Sequence, residues 1–349
     1  MLSQAEFEGV VAKAKVDPAI EQNEQEVWAK YGPMFTPAGI AALEPEKFRA
    51  FLTYKENRHW TGINRHSGDL TADLPLLKKA LTLLVDQSKP IAGRIDEARR
   101  MMSGRGLGKA VISAILIVAH PDKCGVYNNK SVEGLKKLGK YPGGGNPDFE
   151  ALSTGKRYEQ VNGVLSELSA KYGIKLWALD WVLGTLGTGG ESELAPSTPG
   201  GPAQGEEAIS SEAPVARFRW EEQLEDYLVE NWDTTSLASS LDILTDDEGD
   251  ISGQQYRTEV GPIDILCKNK DGSGYTVVEL KRGQTGDDTV GQVARYMGWV
   301  KKKLAKNGQM VRGLIICRDA DEKLMTALEV VPNVDVFTYE VRFTLSKKD

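Results

Sequence analysis

Three residues stand at positions where they could do chemistry together: Asp264, Glu279 and Lys281, in the segment GPIDILCKNKDGSGYTVVELKRG. Two strand-like runs flank Asp271-Gly272, and Asp-Gly between alternating apolar residues is a strong hairpin signal. With a two-residue turn, paired positions sum to 543, so Asp264 lies directly opposite Glu279. Opposed residues on one sheet face carry Cβ atoms about 4.5–5.5 Å apart, where like charges repel. A divalent cation held by carboxylate oxygens is one physical reason to tolerate that pair. Side-chain alternation puts Glu279 and Lys281 on one face and turns Val278 and Leu280 to the other, toward a core, with Ile263 and Ile265 flanking Asp264. The spacing alone also admits a surface hairpin with Asp, Glu and Lys in a loose ion-pair ladder. A slip of one residue would move every side chain to the opposite face.

The elements around this hairpin read as α/β. A helix of the form WEEQLEDYLVEN precedes the strands, a second helix runs from Thr289 to about Asn307, and VRGLIIC forms an apolar strand, giving a mixed sheet. Upstream, residues 189–214 (GGESELAPSTPGGPAQGEEAISSEAP) hold almost no large apolar residue and are rich in Gly, Pro, Ser and Glu, which predicts a flexible acidic linker. The expected organisation is therefore multi-domain: a mainly α domain over 1–188, the linker 189–214, and an α/β domain over 215–349. In the first part apolar residues recur at helical spacing, as in Leu74, Leu77, Leu81 and Leu84 and in Val111, Ile115 and Val118.

The net charge of −7 argues against a nucleic-acid partner until it is divided along the chain. Residues 1–188 hold 25 Lys/Arg against 21 Asp/Glu, whereas the linker carries −5 and the last part −6. The first part is the better electrostatic match to phosphate. Cys124, Cys267 and Cys317 are scattered and form no CxxC pair, so they read as ordinary buried thiols. No apolar run is long enough to cross a bilayer, and MLSQAEFEGVVAKAK has no secretory h-region, which together predict a cytoplasmic protein.

GPIDIL followed by VVELKRG resembles the PD-(D/E)XK nuclease superfamily, and most closely the C-terminal domain of the NucS (EndoMS) endonucleases. The resemblance takes in Tyr256, Thr258 and Gly261 of QYRTEVGPIDIL, the helix VGQVARYMGWV and the strand VRGLIIC, covering most of residues 217–343. It implies a restriction endonuclease-like fold, with Asp264 and Glu279 binding Mg²⁺ or Mn²⁺ and Lys281 orienting or activating the attacking water. Relatives often use an acid from the first helix in a pattern similar to E-x-x-L-x-x-x-L. Here Glu221, Leu224 and Leu228 fit it, which makes Glu221 a third metal-ligand candidate; a helix N-terminal Glu favoured by the dipole is the other account of it. Gln292 and Tyr296 match the Q-x-x-x-Y signature of the RecB-type branch. Arg295, Trp299, Lys301, Lys302, Lys303 and Lys306 on the same helix are candidates for DNA backbone contact or simply a solvated face.

The first part resembles a helical domain that recurs in prokaryotic restriction and defence proteins. Gly104, Gly106 and Gly108 could form a helix-hairpin-helix-like turn approaching a phosphate, with Arg105 and Lys109 adding charge, or could serve close helix packing. Arg58, His59, Trp60, Arg65 and His66 could stack on an unpaired base, with Trp60 more often a core residue. The expectation is a metal-dependent DNA endonuclease in restriction, phage defence or DNA repair. It would act on DNA, with a homodimer and a licensing partner protein as the expected associations. A non-cutting scaffold that keeps the nuclease fold, and a nuclease acting on RNA, are the competing readings. The resemblance to NucS implies mismatch cleavage as one possibility, although the first half does not look like the NucS N-terminal domain.

Overall fold

The structure, a computed structural model, describes residues 3–188, 224–246, 249–285, 288–306 and 308–340. The predicted linker falls outside these. The chain divides into two compact units, Met1–Pro202 with Asp246–Asp250 and Ala203–Thr245 with Ile251–Asp349. Among the described residues no helix is long and apolar enough to cross a membrane.

The first unit is helical, as its apolar spacing predicts: α1 Gln4–Val16, α2 Pro18–Tyr31, α3 Pro37–Ala41, α4 Pro45–Leu52, α5 Tyr54–Asn57, α6 Ser67–Thr71, α7 Leu74–Val85, α8 Ile91–Met101, α9 Lys109–Ala119, α10 Asn129–Lys137, α11 Pro147–Glu150, α12 Thr154–Tyr172 and α13 Leu176–Thr188. Local chemistry sets the starts. Ser3 and Glu6 form a capping box on α1, Asp17, Asp73 and Ser153 cap α2, α7 and α12 through their side chains, and prolines open α2, α3 and α4. Gly173, left-handed at φ 58°, closes α12. The apolar stripes, including Leu77, Leu81 and Leu84 of α7 and Val111, Ile115 and Val118 of α9, meet in one core.

His59 and Trp60 belong to that core and form no surface base clamp. The His59 ring stacks on Trp177 at 4.5 Å between centroids, and His59 and Trp60 both hydrogen-bond the buried Asp180 carboxylate, at 3.0 and 3.1 Å. The glycine turn joins α8 to α9. Gly104 and Gly106 have φ of 73° and 78°, and a Cβ on Gly106 would overlap the His66 side chain while one on Gly104 would meet nothing. Close packing therefore explains Gly106.

In the second unit a helix through 224–230, α14, precedes a six-stranded mixed sheet. Its strands are β1 Leu241–Ile243, β2 Gln254–Tyr256, β3 Ile263–Asn269, β4 Gly274–Thr285, β5 Met310–Ala320 and β6 Val334–Thr338, in the order β1-β3-β4-β5-β6, with β2 also on β3. Strands β1, β2 and β4 run antiparallel to β3; β4, β5 and β6 are mutually parallel. Helix α15, Asp288–Lys303, carries the crossover from β4 to β5, and α16, Glu322–Leu328, the one from β5 to β6. Both faces of the sheet are covered. Ile265, Val278, Leu280, Leu314 and Ile316 pack with Val229 and Trp232, whereas Leu266 and Val277 pack with Tyr296 and Val300 of α15. The three cysteines are buried thiols, as expected.

Where β4 begins, Gly274 has φ 149°, and a Cβ there would collide with the Met310 carbonyl of β5. Gly274→Ala is expected to destabilise the second unit by about 1–3 kcal/mol, read as a lowered denaturant midpoint in urea.

Candidate active site

The β3–β4 hairpin delivers the candidate residues in the register the Asp-Gly signal predicts. Ile265↔Val278, Leu266↔Val277, Cys267↔Thr276 and Lys268↔Tyr275 all sum to 543. Asp271 accepts from the Ser273 N–H at 2.8 Å and Gly272 adopts φ 76°, so both turn residues do what their types favour. The strands end at Asn269 and Gly274, which makes the connection longer than two residues while keeping the same centre.

Beyond the last paired residues, Ile265 and Val278, Asp264 is tied to β4 through its side chain. Asp264 accepts a 2.8 Å hydrogen bond through Oδ2 from the Leu280 N–H. Glu279, 1% exposed, is ion-paired through Oε1 with Lys281 Nζ at 2.6 Å. Alternation puts these two on the face of Val277, toward α15, with Val278 and Leu280 turned to the opposite core. This is not a solvent-washed surface ladder. An ion pair in which one partner is almost fully desolvated survives only when the partner is fixed, because leaving either charge alone in that environment is expensive.

Another acid, Glu225, lies near Asp264. Glu221 lies outside the described residues. Glu225, on α14, is 3% exposed and accepts a short hydrogen bond from the Gln255 amide, whose Nε2 also stands 3.5 Å from Asp264 Oδ1. Burial first, and the charge of Asp264 second, hold the Glu225 carboxyl well above the usual carboxylate range. The helical stripe shared with Val229 and Trp232, both deep in the core, points to Glu225 at spacings of four and seven. Leu224 and Leu228, the apolar residues of the pattern that contains Glu221, are partly buried against the same core.

Gln292 and Tyr296 are together on α15, the Gln292 amide donating to the Tyr296 hydroxyl at 3.4 Å. Tyr296 is buried against Gly261, where φ is 118° and a Cβ would stand 3.0 Å from the hydroxyl. Thr258 ties off the same turn by donating to the Gly261 carbonyl, so the upstream Thr and Gly shape the approach to Asp264. Arg295 is exposed, its guanidinium 5.2 Å from the Tyr296 ring centroid, and Lys302 is exposed on the same helix. Trp299 and Lys303 both engage Glu259. Arg105 is half-buried, and Lys109 is buried, with its ammonium 5.9 Å from the Tyr127 ring centroid.

The donor set is chemically suited to a hard divalent cation, since Asp264, Glu279 and Glu225 offer only carboxylate oxygen. Among the described residues no group of three or more His, Cys, Asp or Glu is arranged to hold one. Positive ends from the protein stand among these acids instead: the Lys281 ammonium at Glu279 and the Gln255 amide between Glu225 and Asp264.

Because the Glu225 carboxyl titrates above its ordinary value, its protonated form stabilises the fold below that ordinary value, and the stabilisation is lost as pH rises through the folded-state value. In EDTA, Glu225→Gln is therefore expected to melt above the wild type at about pH 8, with the two curves converging at about pH 4. Differential scanning fluorimetry across pH checks this; a wild type equal to or above the variant at the alkaline end contradicts it.

Residues 237–331 match the family model of the endonuclease NucS C-terminal domain. Among solved structures, a repair endonuclease from Pyrococcus abyssi is similar at 21% identity, with 39% of this chain and 50% of that chain covered and a TM-score of 0.25. The structure of an EndoMS–dsDNA complex is similar at 18% identity, with 40% and 51% covered and a TM-score of 0.27. This chain spans about half the length of those structures. No curated protein matches it. Asp264, Glu279 and Lys281, with strands β1 to β5, thus lie within a segment, residues 237–331, that matches the endonuclease NucS C-terminal domain family.

Proposed function

We propose that the second unit is a DNA endonuclease domain that hydrolyses phosphodiester bonds with a divalent cation, Mg²⁺ or Mn²⁺. The observation that carries this reading is the ion pair of buried Glu279 with Lys281 on β4, next to Leu280, whose N–H is accepted by Asp264 of β3. The family match over residues 237–331 supports it. Asp264, Glu279 and Glu225 would hold the cation. When bound, the cation supplies Lewis-acid polarisation of a phosphate oxygen and a more acidic water.

The chain's own residues then divide the remaining work. Lys281, fixed by Glu279, holds a positive charge where charge develops on the scissile phosphate and orients the attacking water. Leu280 N–H fixes the orientation of Asp264. Buried Tyr296 and its partner Gln292 keep the turn before β3 in place. Arg295 and Lys302, exposed on α15, offer contacts to the nucleic-acid backbone, which position a duplex without reading its sequence. Restriction, phage defence and DNA repair are the settings in which such a domain fused to a helical unit would serve.

The test is cleavage of supercoiled, linear, mismatched, modified and single-stranded DNA, and of RNA, in Mg²⁺ or Mn²⁺. Metal-dependent cutting of DNA is expected, abolished in Asp264→Ala and slowed by about 10²–10³-fold in Lys281→Ala. Nucleic-acid binding without cutting, equal in all three proteins, would favour a non-cutting scaffold, and cutting confined to RNA would reassign the substrate.

A further inference from the structure

Gln255 is one of three non-glycine residues with positive φ among the described residues, at 46°, and it sits in the middle of β2. The pairs on either side, Gln254↔Ile265 and Tyr256↔Ile263, place it directly opposite Asp264. A left-handed backbone inside a strand is costly for a residue with a Cβ, and glycine would occupy the position without that cost. What the glutamine adds is its amide. The two hydrogens of Nε2 face two acids: one is donated to Glu225 Oε2, and Asp264 Oδ1 lies 3.5 Å away. Glu225 is 3% exposed, so little water reaches its side of this arrangement.

We infer that Gln255 is a positioning residue that stands in for the cation: its amide holds Glu225 and Asp264 together in the metal-free protein and gives up that place when a divalent cation binds. The inference rests on the proposed use of these carboxylates as cation ligands. A neutral donor with two N–H groups suits the task. It satisfies an acceptor oxygen of Glu225 while facing Asp264, and it competes with an incoming cation less strongly than a lysine ammonium in the same place would. The strained backbone at residue 255 is then the geometry that aims a short, uncharged side chain between two acids from different elements, β3 and α14.

The placeholder role and a merely structural role differ in how they couple to metal. If the amide competes with the cation, removing it destabilises the metal-free protein and strengthens apparent metal binding, because binding no longer has to displace it. The experiment uses the full chain, Gln255→Met to keep the side-chain length without N–H donors, and Gln255→Ala as a second variant. Melting temperatures are read in EDTA and in saturating Mn²⁺, and Mn²⁺ affinity is read by isothermal titration calorimetry. The expected result is a lower melting temperature in EDTA for both variants, recovery to the wild-type value in Mn²⁺, and an apparent Mn²⁺ affinity at least about threefold tighter than wild type. An equal loss of stability with and without Mn²⁺, or unchanged affinity, overturns the placeholder role. Weaker affinity also overturns it, since it would make Gln255 a ligand. Wild type that binds no Mn²⁺, indistinguishable from Asp264→Ala, would instead overturn the cation reading of the whole site.

Discussion

A carboxylate buried in the middle of a sheet is the constraint around which the second unit is arranged. Glu279 sits on β4 with 1% of its surface exposed, and a charge so far from water requires a fixed partner. Lys281 supplies that partner from two residues along the same strand, so one turn of the pleat carries both members of the pair. The strand in turn is held on one side by the antiparallel β3 and on the other by the parallel β5. Covering of both sheet faces by apolar side chains removes water from Glu279 and from Glu225. The same desolvation that makes the acids costly to bury makes them receptive to a cation or to a protein donor. This links the packing of Trp232, Val229 and Tyr296 to the chemistry of residues they do not resemble.

Much of this was legible because hairpins and helices follow short-range rules. Asp271-Gly272 fixed the centre of the turn, and the centre fixed the register, even though the connection is longer than the two residues assumed. The alternation of Val278, Glu279, Leu280 and Lys281 assigned faces correctly. Apolar spacing in α7 and α9 likewise gave the helical first unit. Glu225 was missed for an informative reason. Leu224 and Leu228 define a stripe one step from the most buried one, which runs through Val229 and Trp232, and only packing distinguishes them.

Other features lay beyond pattern reading. Nothing in the residue types of QQY announces a left-handed backbone at Gln255, because the conformation follows from its long-range partners, Glu225 and Asp264. His59, Trp60, Trp177 and Asp180 come together from segments more than a hundred residues apart, turning a candidate base clamp into interior packing. The glycines between α8 and α9 carried two readings, and the closeness of Gly106 to His66 favours packing there. Lys109, read as a surface cation because it follows a glycine turn, is enclosed. At His59, Trp60 and Gly106 the local sequence allowed an exposed, functional reading, and tertiary packing supplies the other account.

The central claim is that Asp264, Glu279 and Glu225 form a site for a divalent cation. Anomalous diffraction from crystals of the full chain grown with Mn²⁺ tests it most directly. The account predicts an anomalous peak among these three carboxylates, with the Gln255 amide no longer between Glu225 and Asp264. Well-ordered crystals at saturating Mn²⁺ with no peak there, and with Gln255 still spanning the two acids, would contradict it.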